Sequence, residues 1–331
     1  MFQLTRNPAR YHGQKKKPPF FEGWYYRMVD KDCRESVVVI PGIFKHKDPL
    51  KSTSFIQVVD GKNPEAYYLD FPVEAFRSKK RQFEIAIGGN SFISNAFSVD
   101  LHRENLKIKG NLHFKFLNPW PVSLLSPGIM GWYAWVPFME CFHGVLSLDH
   151  SIEGTLLLND REINFTGGKG YIEKDWGQAF PEAWIWQQTN HFEEDGISLT
   201  ASIAIIPWIG KAFPGFIIGF LWERELYRFA TYTGAASTLL EIGEKTVHWI
   251  VEDKKYILEM NTETGPSTYL RAPTPQGMDR QILESVDSVV EVRLFRKIKT
   301  GKTMVFQGKG LHAGFEKEGN IPKLLQMVKS G

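Results

Sequence analysis

The sequence predicts an all-β protein of two antiparallel β-barrel domains related by internal duplication, and three observations predict it. Short apolar runs bounded by Gly, Asn, Asp or Pro recur along the chain, with the length and the β-branched or aromatic content of strands. Few windows carry a helical period. Phe20, Glu22 and Trp24 recur as Phe180, Glu182 and Trp184, each 160 positions on, a step too long for a solenoid repeat and suited to a domain. A second echo follows each copy, Val37-Val38-Val39-Ile40-Pro41-Gly42 and then Ala204-Ile205-Ile206-Pro207. At 331 residues each half could bury a core of its own, so the expected domains are residues 1–174 and 175–331.

The expected strands follow in order. In the first half they are Ser36 to Ile40, Thr53 to Val59, Gln82 to Ile87, Ser98 to Leu101, Asn111 to Phe116, Gly144 to Leu148 and Thr155 to Leu158. The pattern resumes with Trp184 to Asn190, Ile197 to Ile206, Phe216 to Trp222, Tyr227 to Thr233, Thr246 to Val251, Lys255 to Met260, Ser288 to Phe295 and Thr303 to Gly308. Helical spacing is confined to parts of Arg280 to Glu284 and to Ile321 to Lys329. Many short antiparallel strands favour closed or half-closed barrels, which leave few exposed edges.

Phe116 to Val145 breaks this rhythm. It holds Trp120, Trp132 and Trp135 together with Pro119, Pro121, Pro127 and Pro137, too many breakers for a bilayer span of about 20 residues. A long irregular segment rich in Trp suits a site wall or lid. A buried crossover and a shallow contact with a membrane interface are the two other readings.

A net charge of +3 spread over the chain does not imply a nucleic-acid partner. Lys15-Lys16-Lys17 is a tight basic run, either a solvated leader or a contact for anionic lipid. Cys33 and Cys141 lack disulfide-framework or zinc spacing. The opening residues Met1 to Pro8 carry no signal-peptide core, and the expected compartment is the cytoplasm, with peripheral membrane contact as the alternative. The sequon Asn164-Phe165-Thr166 then carries little meaning.

The densest polar and aromatic stretch is Gly167-Gly168-Lys169-Gly170-Tyr171-Ile172-Glu173-Lys174-Asp175-Trp176-Gly177. Alternation on a strand puts Glu173 and Asp175 on one face and Lys174 and Trp176 on the other. Two close carboxylates between apolar walls resist double ionisation, so one of them is a candidate proton donor. The competing reading ties an acid to Lys169 or Lys174, or leaves both at an exposed strand end. Trp184, Trp186, Gln188 and Asn190 share a face by the same alternation, apolar at one end and hydrogen-bonding at the other, as Glu22, Trp24 and Tyr26 do in the first copy. Ordinary core packing is the alternative for each of these rings. Glu140, His143 and His150 form a weaker cluster whose spacing serves a metal only on a helix, so no metal is expected and His143 is assigned to ligand hydrogen bonding. Phosphate-loop, dinucleotide and serine-elbow motifs do not occur.

Phe20-Phe21-Glu22-Gly23-Trp24-Tyr25-Tyr26, Trp135-Val136-Pro137-Phe138-Met139-Glu140-Cys141, and above all Gly170 to Gly177 with Phe180-Pro181 and Trp184-Ile185-Trp186 resemble the tocopherol cyclase family. The resemblance is strongest between about residues 18 and 190. It implies a cofactor-free protein of two lipocalin-like β domains, distantly similar to carotenoid hydratases and pericyclases. It also implies acid-catalysed ring closure, in which an alkene of a prenyl tail is protonated and a phenol oxygen captures the cation. Glu173 and Asp175 would supply the proton, Trp24, Trp176, Trp184 and Trp186 would line the tail site, and Gln188 with Asn190 would hold the head. The expected partner is a hydrophobic prenylated or polyene small molecule. A non-catalytic carrier of such a ligand is the second reading, and a membrane-peripheral scaffold exposing Trp132 and Trp135 is the third.

Overall fold

A computed structural model gives the fold and describes residues 5–330; the part of the signal-peptide expectation that rests on positions 1–4 lies outside them. The chain divides into two compact units, one of residues 1–180 with 269–282 and one of residues 181–268 with 283–331. The expected boundary after position 174 falls inside a strand, and the second stretch contributes a hairpin to the first unit.

The strands of the first unit are β1 (Phe20–Val29), β2 (Ser36–Lys45), β3 (Thr53–Asp60), β4 (Glu65–Pro72), β5 (Phe76–Ser78), β6 (Glu84–Ile87), β7 (Asn90–Ile93), β8 (Ala96–Arg103), β9 (Leu106–Lys115), β10 (Cys141–Leu158), β11 (Arg161–Asn164) and β12 (Lys169–Gly177). They pair in the order β4-β3-β2-β1-β12-β10-β9-β8-β7-β6-β5, with β11 on β10. The second sheet holds β13 (Ala183–Thr189), β14 (Ser198–Trp208), β15 (Lys211–Trp222), β16 (Glu225–Ala230), β17 (Ala236–Ile242), β18 (Thr246–Glu252), β19 (Tyr256–Glu263), β20 (Ser267–Thr274), β21 (Gly277–Ile298) and β22 (Gly301–Gly319). Its order is β16-β15-β14-β13-β22-β21-β19-β18-β17, with β20 on β21. Every pairing is antiparallel.

The two wirings match. In each, four consecutive strands form a meander whose first member pairs with the last strand of the sheet. The pairings among the described residues give two sheets with free ends rather than closed barrels. Gly144 to Leu148 and Thr155 to Leu158 merge into the single long β10. The helical spacing expected at Arg280 to Glu284 is overturned, because these residues lie in β21 and Ile282 and Glu284 are buried on either side of the exposed Leu283, the period of a strand. Ile321–Ser330 does form a helix, α1, and seats Leu324 in the second unit's core.

One face of the first sheet is packed with rings. Tyr26 meets Phe92, Phe97 and Phe114, and Trp24 stacks on Phe83 and Phe76. Rings from β7, β8 and β9 reach β1 across the sheet, so this is the concave, enclosed face. Val37, Val38 and Val39 build β2 and are fully buried, β-branched side chains that favour a pleated backbone. On the opposite face the Gln57 amide is bonded both ways to the Arg271 backbone, at 2.9 Å each, and the Arg271 guanidinium lies over Tyr68. These contacts fasten the hairpin to the first unit.

In the second unit the core takes Ala183 and Ile185 of β13 with Leu199, Ala201 and Ile203 of β14. Trp184 and Trp186, being even-numbered, lie on the face turned away from that core.

Candidate active site

The site forms where β1, β12 and β10 run side by side. Glu22 pairs in register with Trp176, Trp24 with Lys174 and Tyr26 with Ile172, while Phe142 opposes Trp176 and His143 opposes Asp175. Residues opposed in register share a face. Glu22, Trp24, Tyr26, Lys174, Trp176 and Phe142 therefore lie on the enclosed face, and His143, Glu173 and Asp175 on the other. Gly144, opposite Lys174, leaves room for the Trp176 ring, since a Cβ there would come within 3.2 Å of it.

On the enclosed face Lys174 and Glu22 form an ion pair at 2.6 Å with both side chains 0% exposed. Lys174 donates to the Arg10 carbonyl at 2.6 Å and lies 2.8 Å from His12 Nδ1. Glu22 also accepts from the backbone N–H of His12 and of Gly13. The His12 ring stacks on Trp176 with centroids 4.4 Å apart, and the Trp24 indole donates to the Ala9 carbonyl. The stretch from Ala9 to Gly13 is thus stitched to the sheet by buried charge. Burial opposes the Glu22 charge, but Lys174 and His12 outweigh it and hold the carboxyl below its usual range. Burial likewise lowers Lys174 to about 8, against the pull of Glu22. Its ammonium also lies over the Trp176 and Trp24 rings, at 4.5 and 5.0 Å.

On the opposite face His143 Nδ1 lies 2.9 Å from Asp175 Oδ1, and His143 Nε2 lies 3.7 Å from Glu173 Oε2. The Tyr171 hydroxyl donates to the same Glu173 oxygen at 2.6 Å. Burial works against the imidazolium, yet Asp175 and then Glu173 overcome it and raise His143 to about 9. Where the sequence pointed to a carboxyl as proton donor, the structure also sets an imidazole between the two carboxyl groups. The ligand atoms of His143, Glu173 and Asp175 lie within 4.8 Å of one another, close enough to hold a metal ion. A cation would have to displace that proton, since a metal takes neutral imidazole.

The two faces meet at a small cleft beyond the strand ends, lined by His12, Phe142, His143, Trp176 and, from the Trp-rich segment, Pro127 and Ala134 to Pro137. Its volume is about 70 Å³, well under the roughly 300 Å³ of ordinary ligand pockets. Phe142 and Trp176 stack at 5.5 Å along one wall.

The expected residues therefore divide. Glu173, Asp175 and His143 come together, and Trp176 reaches the same cleft from the enclosed face. Glu22 and Trp24 surround Lys174 deeper in, and Tyr26 belongs to the aromatic core. Trp184, Trp186, Gln188 and Asn190 lie in the second unit, all buried, with the Trp184 indole donating to Glu316 at 2.6 Å. Lys174 is paired with Glu22 rather than with Glu173 or Asp175. His150 does not join His143: it is buried against Phe114 and Ser147, and burial drops its pKa to about 3. Sequence reasoning missed His12, Tyr171 and Phe142. The two-residue step from Tyr171 to Glu173 was a usable signal; His12 left none.

Sheet and cleft together define a β protein with an aromatic-walled cavity and a proton-holding cluster beside it. The chain belongs to the tocopherol cyclase-like family, whose model matches residues 112–319. A probable chloroplastic tocopherol cyclase of Oryza sativa subsp. japonica is 24% identical over 337 residues, covering 82% of this chain and 69% of that protein. The chloroplastic tocopherol cyclase of Zea mays is 24% identical over 323 residues, covering 80% and 66%. The chain thus spans about two thirds of the length of these relatives. The crystal structure of CghA with Sch210972 superposes with a TM-score of 0.56 at 9% identity, covering 91% of this chain and 89% of that one, a likeness of fold.

Proposed function

We propose that the chain is a cyclase that closes an oxygen ring on a hydrophobic prenylated phenol or quinol, with His143 as the acid and Glu173 and Asp175 tuning it. The observation that carries this reading is an imidazole set between two carboxyl groups, with its ring at the wall of an aromatic cleft. His143 Nε2, buried and without a hydrogen-bond partner among the described residues, gives its proton to an alkene carbon. A C–H bond forms, the double bond is spent, and a tertiary cation remains. Giving up that proton takes the cluster from one net negative charge to two, which favours the cation as it develops. Phe142 and Trp176 form the apolar wall beside it, which keeps water from the cation. The phenol oxygen then closes the C–O bond and its proton returns to the cluster, so the reaction is an isomerisation without a co-reactant. The cleft is too small for such a substrate as it stands, and the roof from Pro127 to Pro137 is the part that has to yield. The names of the Oryza and Zea relatives support tocopherol precursors as the first substrates to test.

Turnover of a prenylated hydroquinone in D2O should place one deuterium in each product. His143→Gln, Glu173→Gln and Asp175→Asn should each lower the rate by about 10²–10⁴-fold while the thermal midpoint and ligand affinity change little. Three variants that all turn over within a few fold of the parent would end this assignment.

A further inference from the structure

From Phe116 to Met139 the sequence carries no Asp, Glu, Lys or Arg, and the segment turns several of its large apolar side chains to solvent. Leu125 is 82% exposed, Phe138 52%, Leu124 49% and Trp132 46%. They are held out rather than loose: the Trp135 indole donates to the Leu124 carbonyl at 3.1 Å, a bridge joins Val122 to Pro127, and Trp132 stacks on Tyr133. An ordered segment that exposes this much apolar surface marks an interaction face.

A second observation names what the face meets. From Thr5 to Phe21 the chain has no acidic residue but carries Arg6, Arg10, Lys15, Lys16 and Lys17, and the three lysines are exposed. Lys16 lines the cleft together with Pro127 and Trp135, so the basic run and the apolar segment border one opening. Apolar side chains flanked by lysines and free of acids complement a bilayer with anionic headgroups, where Trp is at home.

We propose that this face docks on an anionic membrane surface and brings the cleft mouth against the lipid that carries the substrate. The proposal deepens the cyclase reading by giving the substrate a route, yet it rests on surface chemistry alone. The test is co-sedimentation of the full chain with vesicles of phosphatidylcholine, with and without phosphatidylglycerol. The anionic vesicles should retain the protein, raised salt should release part of it, and Leu125→Glu with Trp132→Glu, or reversal of the three lysines, should each cut partitioning by about ten-fold or more. Leu125→Glu should keep its thermal midpoint and its turnover of substrate delivered in detergent micelles, losing only turnover of substrate delivered in vesicles. Equal partitioning of parent and variants, no preference for anionic vesicles, or a self-associated parent that ignores vesicles and is dispersed by Leu125→Glu would overturn the proposal. Vesicle binding without turnover in any format would instead end the cyclase reading and leave the docking face standing.

Discussion

The two sheets are wired alike but charged in opposite senses. Trp24 in the first strand of one sheet is opposed by Lys174; Trp184 in the first strand of the other is opposed by Glu318 and bonded to Glu316. Glu22 is fully buried on its lysine, whereas Glu182, 160 positions later, meets Lys323 at a surface where both side chains are nearly half exposed. The facing differs as well. Trp24 points into the ring-filled interior, while Trp184 points away from its own unit's core. Shifting a strand by one residue exchanges its faces, so the repeated letters do not occupy repeated environments. The duplication shows in the strand order, while the buried Glu22–Lys174 pair and the His143–Asp175 pair both lie in one copy.

The largest stability effect that could break this contrast is at the buried ion pair. Glu22→Gln leaves Lys174 charged and enclosed, and should cost about 3–5 kcal/mol in denaturant unfolding. Glu182→Gln should cost only about 0.2–1 kcal/mol. Equal losses would mean that the two glutamates do the same job.

Next in size is the pH dependence that His143 brings to the first unit. Its folded-state value of about 9 stands above the ordinary 6.5, so its contribution is fully present below pH 6.5 and is lost as pH rises through 9. That shift corresponds to roughly 3 kcal/mol, and His143→Gln should remove the decline. Lys174, lowered to about 8 from 10.5, acts with the opposite sign: its burdened charge weighs on the fold below pH 8, and the burden lifts between 8 and 10.5. A stability curve of the His143 variant that rises across that upper window would separate the two groups.

A smaller effect than either is expected at the Trp184 indole of the second unit. Trp184→Phe removes the bond to Glu316 and should cost about 1.5–3 kcal/mol while leaving turnover within a few fold. A loss of turnover like that of Asp175→Asn would show that the second sheet shares the chemistry, and the contrast drawn here would fail.

The strands were largely legible because alternation and β-branched runs are local. So was the split of Glu173 and Asp175 from Lys174 and Trp176, which needs only the two-residue period. Arg280 to Glu284 misled because Ile282 and Leu283 are adjacent apolar residues and a short window does not separate the two periods. The partnerships were not legible. Lys174 meets Glu22 only through the register of β1 on β12, and His143 meets Asp175 only through that of β10 on β12, and no local pattern encodes a pairing between distant strands. The echo at Trp184 was seen, yet its facing depends on a register that the letters do not state.

The stitching of Ala9 to Gly13 onto the sheet has a consequence for how the molecule is made. Lys174 reaches the Arg10 carbonyl over 164 residues of chain, so during synthesis the Ala9 to Gly13 stretch has no anchor until the strand that carries Lys174 has emerged. A shortened form that began at Gln14 would lose the lid over Glu22 and the ring that shields Trp176. It would put water against Lys174, whose side chain the fold keeps dry.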